Sequence, residues 1–166
     1  MDWAETPLTP PILGTEVMLL EFEPLTDAGR SALARFMALP PEALAQTFRH
    51  IYAYYRDFHA AVGGEDWLDA IMGVPSGPEA IWQHVRPGTL GVGQQVENGP
   101  WYVSLEASCD WEEEHGLNIV WQDGTEVVKV GSYDGHMTNE HSYGDATMAN
   151  VVYAATDPRW RTLRGA

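Results

Sequence analysis

WYVSLEASCDWEEEHGLNIVWQDGTEVVKVGSYDGH, residues 101–136, is the stretch whose reading decides the fold. Its hydrophobicity has a period of two. Trp101, Val103, Leu105, Ala107 and Cys109 alternate with Tyr102, Ser104, Glu106 and Ser108, the pattern of a strand with one buried and one wet face. After a break at 110–116, a second run sets Leu117, Ile119 and Trp121 on one face. Asp123-Gly124 and a third run, 125–130, follow. A type I′ turn needs positive φ at both central residues, so an Asp-Gly pair between β-rich runs predicts a hairpin. Asn98-Gly99 makes the same offer between 92–97 and Trp101, with Pro100 removing one ladder donor. The expectation is a three- or four-stranded antiparallel meander.

Upstream the period changes. Residues 1–14 hold Pro7, Pro10, Pro11 and Gly14 and read as an extended leader. Residues 15–22 predict a strand, apolar on both faces and therefore inside the sheet. Thr26 or Asp27 can cap a helix over 28–38 with Leu33, Phe36 and Met37 as its stripe. Pro40-Pro41 ends it and opens the next, since proline is tolerated in a first helical turn. Over 41–62, Leu44, Phe48, Ile51, Tyr52, Tyr55, Phe58 and Val62 recur at spacings of three and four, and Gly63-Gly64 stops the run. That aromatic stripe reads as core packed on a sheet, and His59 beside it as a hydrogen-bonded packing residue. A short helix over 66–72 presents Trp67, Leu68 and Ile71. Ser76-Gly77-Pro78-Glu79 fits a capping box for another helix, ending before Pro87-Gly88. Beyond the meander, 132–145 reads as loop and 151–154 as a last short strand.

The fold class is thus α+β, with N-terminal helices packed on a C-terminal antiparallel β-meander. The expected organisation is one domain over 1–166: a leader to 14, a mainly helical part over 15–87, the meander part over 88–155 and a basic tail over 156–166. Hydrophobic content of 45% with seven Trp and seven Tyr is that of a globular chain. No apolar run approaches the roughly 20 residues of a membrane span. The acidic N-terminus is unlike a secretory signal, and a single cysteine forms no internal disulfide, so a reduced, cytoplasmic setting is expected.

Charge is the strongest global feature: 24 acids against nine bases, a formal net of −15. Residues 87–158 contain twelve acids and the single base Lys129, whereas Arg159, Arg161 and Arg164 make the tail basic. Such a field disfavours nucleic acid and anionic membrane and favours a basic protein as partner, although acidity also serves solubility alone.

The candidate chemistry lies in the loops. Asp110, Trp111, Glu112, Glu113, Glu114 and His115 fall between the first two runs; Asp134, His136 and then His141 follow the third. Were the two groups to converge, Glu112, His115, Asp134 and His136 could hold a divalent metal and activate water for hydrolysis. The other reading is a solvated acidic loop with turn-capping side chains, in which Trp111 packs, His115 bonds a neighbouring carbonyl and Gly116 supplies a turn conformation. Cys109 shares the parity of Leu105 and points inward, where thiols are ordinarily inert. No GxSxG elbow, P-loop, HExxH or CxxC pair is present.

Cys109-Asp110-Trp111-Glu112-Glu113-Glu114-His115-Gly116-Leu117, the following hairpin, and Tyr133-Asp134-Gly135-His136 with Thr138-Asn139 resemble a bacterial domain-of-unknown-function family sharing C-x-W-E-x-E-H-G-L and Y-D-G-H-x-T-N segments. The resemblance covers about 80–155. It implies a small cytoplasmic bacterial domain and no established activity, cofactor or catalytic residue; some similar small acidic domains are immunity proteins. The resulting expectation is a binding module with no cofactor, using the acidic surface around 112–115 and 134–141. A metal-dependent hydrolase is the alternative.

Overall fold

The computed structural model describes residues 4–62 and 66–165. Six strands form one sheet in the order β1-β2-β3-β4-β5-β6: Ala4–Leu8, Val17–Glu21, Val85–Gln94, Trp101–Cys109, Leu117–Gln122 and Glu126–Gly131. β3 to β6 are the expected meander, antiparallel throughout. The sheet continues into the N-terminal third. β2 lies parallel to β3, and β1 runs antiparallel to β2 at the edge. The leader reading of 1–14 is therefore corrected. Pro7 is accommodated because β1 is an edge strand, where a missing N–H costs no interior ladder bond, and Ile12 and Leu13 are buried.

A parallel neighbour requires a long crossover, and the helices supply it: α1 (Asp27–Met37), α2 (Ala45–Ala61) and α3 (Asp66–Met72). Thr26 caps α1 by accepting from the Gly29 N–H, and Phe36 meets Trp121 with ring centroids 4.8 Å apart. A 3₁₀ turn, Pro41–Leu44, precedes α2. Gly63-Gly64 lies outside the described residues. α3 buries Leu68 and Met72 and exposes Trp67 and Ile71, not the face expected. Ser76 forms no cap, because Pro78–His84 is a 3₁₀ turn whose preceding Gly77 is extended. Pro87-Gly88 sits inside β3 at a register shift, so that strand starts earlier than expected.

Helix α2 is buried on two faces. The aromatic stripe enters the main core with Ile51 and Tyr55 fully covered. A second stripe, Thr47, His50, Tyr54 and Asp57, is buried beneath the C-terminal segment. The Asp57 carboxylate accepts from the Tyr153 hydroxyl at 2.6 Å and from the amides of Thr156 and Asp157 at 2.8 and 3.0 Å. The tail is thereby held down. It includes β8 (Thr162–Leu163), paired with β7 (Val151–Tyr153). Arg164 pairs with Glu126 at 2.8 Å and Arg159 with Asp157 at 2.7 Å, so two of the tail's three cations are spent locally. Among the described residues no helix is long and apolar enough to cross a membrane.

The Nδ1 atom of His50 lies 2.6 Å from the Thr162 hydroxyl, which also accepts from the Tyr153 N–H at 3.1 Å. Burial, with Arg49 adding to it, pushes the imidazole pKa down to about 3. The folded state then binds fewer protons than the unfolded chain between that value and the ordinary 6.5. Stability should rise with pH across this window and be lost on acidification. From pH 6.5 to 5 the loss is expected to reach about 2 kcal/mol, from roughly 1.4 kcal/mol per unit. Urea titrations at both pH values should show it, and His50→Gln should flatten the difference.

Candidate functional site

The two motif loops are neighbours. One enters β5 and the other leaves β6 at the same end of the sheet, and the Tyr133 N–H donates to the His115 carbonyl at 3.3 Å. Their ionisable side chains nevertheless turn to partners in or beside their own loops. Glu112 accepts from the amides of Glu114 and His115 at 2.8 and 3.2 Å, and its other oxygen lies 2.8 Å from His115 Nδ1. His115 thus meets a carboxylate, not a backbone carbonyl. Asp110 sits 3.0 Å from His84 Nδ1 and 2.7 Å from Arg86. Burial works against its charge, but these two partners hold the carboxyl below the ordinary range.

Trp111 is buried and meets Tyr54 edge-on at 5.5 Å, while the Tyr54 hydroxyl donates to the Gly116 carbonyl at 2.9 Å. Gly116 has φ +62, and a Cβ there would lie 2.5 Å from the Ala107 carbonyl oxygen. Trp111 and Gly116 are thus parts of the loop's architecture. Glu113 and Glu114 are left exposed. Cys109 is buried with its thiol pushed up to about 12 by desolvation. A thiol reagent should label it slowly in the native protein and rapidly in denaturant; rapid native labelling would contradict the inward placement.

In the second loop Asp134 accepts from the Lys129 ammonium, from the Ser142 hydroxyl at 2.6 Å and from the His136 amide at 3.0 Å. Lys129 also donates to the His136 carbonyl at 3.2 Å. Residues 132–145 are not all loop. Thr138 caps a short helix, α4 (Asn139–Tyr143), and buried Asn139 donates to the carbonyls of Val151 and Val152. This places the His136 and His141 rings 5.2 Å apart. Among the described residues no three His, Cys, Asp or Glu side chains assemble into a metal-binding group, so Glu112, His115, Asp134 and His136 do not meet as the metal reading requires.

What the second loop does build is the wall of a groove. Tyr133, His136 and Met137 line a cavity of about 690 Å³ that extends past β3 to Trp101 and to Thr26, the cap of α1. Its floor is β3, and its far wall is the chain leaving β2. The ladder between β2 and β3 joins Met18 to Thr89 and Leu19 to Leu90 and goes no further. β4 stays in register with β3 as far as Gln94 opposite Trp101. The groove lies where that ladder ends, between the chain leaving β2 and the far half of β3. Phe22, Val96 and Tyr133, all large and exposed, stand around it.

The groove's charges have one sign. Among the described residues Glu21, Glu23, Glu97 and Glu106 line it, with no Lys or Arg. None of the four carboxylates is in an ion pair among the described residues. Burial, followed by the charge of the neighbouring Glu106 carboxylate, raises the Tyr133 phenol. Sequence reasoning missed Glu106 and the residues leaving β2, because a groove beside the end of a parallel ladder depends on a pairing some 70 residues apart. The one local signal was Gly91-Val92-Gly93, two glycines on one face of a strand.

No curated protein and no solved structure significantly matches the chain. A family model does, over residues 2–137. That span reaches further toward the N-terminus than the motif resemblance did and stops at Met137. It includes β1 to β6 and the groove-lining residues, and leaves out β7 and β8. By that match the chain belongs to the family described as Domain of unknown function (DUF6985).

Proposed function

We propose that this chain is a non-enzymatic interaction module that holds a basic partner protein at the groove beside β3. The observation that supports the reading is the pairing of an apolar wall with carboxylates of uncompensated charge. A ligand that covered Phe22, Val96 and Tyr133 would bring its own groups within reach of Glu97 and Glu106, and cationic ones would be favoured. The hydrolase alternative needs Glu112, His115, Asp134 and His136 at one point, whereas Glu112 bonds His115 in one loop and Asp134 bonds Lys129 and the His136 amide in the other.

The test uses a photoreactive side chain at Val96, with a second at Trp67, exposed on α3, as control. The expected result is crosslinking from position 96 to a basic protein in the cells that make the chain. Once purified, that partner should associate faster at low salt, since charges more than about 10 Å apart are largely screened near 0.1 M ionic strength. Glu97→Gln with Glu106→Gln should slow association without lowering the melting temperature. Crosslinking only from position 67, or association indifferent to both carboxylates, would reject the reading.

A further inference from the structure

Building on that reading, we propose that residues 91–94 of β3 are an open edge to which an extended segment of the basic partner adds as a further strand, its backbone paired with β3 and its cations on the groove's carboxylates. Past Leu90, no residue of β2 is in register with β3, although Gly91, Val92, Gly93 and Gln94 all line the groove. Their other edge remains on β4. Half of this strand's hydrogen-bonding directions therefore face a cavity, and a strand edge presenting its N–H and C=O groups is a template for another chain.

The two glycines are the second observation. Glycine inside a strand is destabilising relative to alanine, because it orders more backbone and packs nothing. That cost is usually offset by a conformation or a close approach only glycine permits, and neither operates here. Gly91 and Gly93 are absent from the residues with positive φ. A Cβ on Gly91 would meet nothing within 4 Å, and one on Gly93 would only touch the Met137 methyl at 3.6 Å. Contrast Gly116 and Gly124, where a Cβ would strike backbone oxygens. The fold does not need glycine at 91 or 93. A guest strand gains from it, because the absence of side chains at 91 and 93 leaves the sheet face beside the edge open for the guest's own side chains.

Charge selects the guest. Glu97 and Glu106 lie near opposite ends of the open edge: Glu97 follows it in sequence, and Glu106 is the β4 partner of Thr89, just before it. A segment alternating basic and apolar side chains satisfies both the acids and the apolar wall, since successive strand residues point to opposite faces. The chain's own tail starts such an alternation at Arg159-Trp160-Arg161 but loses it at Thr162-Leu163-Arg164, and it is occupied by β7, Glu126 and Asp157.

The probe is a fluorescein-labelled octapeptide alternating lysine and valine, titrated with the full chain by anisotropy. A twin peptide is N-methylated at every second residue, which blocks one hydrogen-bonding edge. The expected result is saturable one-site binding tighter than about 1 mM. It should weaken about tenfold or more in Gly91→Val, whose melting temperature should not fall, and by a similar factor in the twin. Binding unchanged by both Gly91→Val and methylation, or no binding by 1 mM, overturns strand addition. The two readings separate cleanly. If Glu97→Gln with Glu106→Gln weakens binding while Gly91→Val does not, the acidic groove survives and the added strand is rejected. If neither does, both are rejected.

Discussion

Gly124→Ala is expected to destabilise the protein by about 2–5 kcal/mol, a large share of the 5–15 typical of a domain. Two costs add. The Asp123-Gly124 turn has φ of +53 and +78, and a left-handed conformation costs a residue with a Cβ about 1–2 kcal/mol. Asp123 tolerates it because short polar side chains bond locally. The second cost is steric. The turn is pressed against α1, with the Asp123 carbonyl accepting from Arg35 Nε at 2.8 Å, and a Cβ on Gly124 would lie 2.1 Å from the Ala32 carbonyl oxygen. Forcing an added atom into packed surroundings costs about 1–3 kcal/mol. Gly124→Asn separates the two, since asparagine accepts the dihedral but not the contact. Urea denaturation should find both variants impaired, with alanine the worse. A harmless Gly124→Asn would mean that the turn does not press on the helix.

Lys129→Ala should cost about 3 kcal/mol, the low end of the 3–5 found when one partner of a buried ion pair is removed. The lower figure is appropriate because the Asp134 side chain is 34% exposed, whereas that of Lys129 is only 3% exposed. Burial pulls the ammonium's pKa down, and Asp134 opposes that pull. Burial would likewise raise the Asp134 carboxyl, but hydrogen bonds from Lys129, Ser142 and the His136 amide hold it below the usual range. The loss should therefore be shared. Asp134→Ala alone should also destabilise, and the double variant should be much less unstable than the sum of the two. Additive losses in denaturant titrations would show that the two groups are not coupled.

The meander was legible because its signals are local. Alternation from Trp101 to Cys109 and the Asp-Gly pair each follow from a few neighbouring residues, and both appear at the expected places. The companion Asn98-Gly99 reading was half right: Asn98 has φ +62, but residues 95–100 make a longer loop between Gln94 and Trp101. β1 was not legible, because its proline and exposed side chains carry no strand period. Nor was the second buried face of α2. Thr47, His50 and Asp57 are polar; Thr47 donates to the Leu44 carbonyl, and hydropathy cannot show that Thr162 returns to His50 and that Tyr153 and residues 156–157 return to Asp57. The acids of the motif loops were located correctly in the chain, but sequence proximity does not say which atoms a carboxylate has already committed. Glu112 and Asp134 are engaged, while Glu106, which no motif marks, faces the groove.

Lys129 is the chain's sole lysine, and its placement removes the ε-amine from surface chemistry. A folded molecule offers acylating reagents no lysine side chain, and an enzyme that transfers acetyl groups or ubiquitin to lysine finds no accessible acceptor. Trypsin is left with arginine alone on the native surface. The amine comes into reach when the cover formed by residues 134–136 lifts from β6, so acylation of this one side chain would register that opening, one molecule at a time.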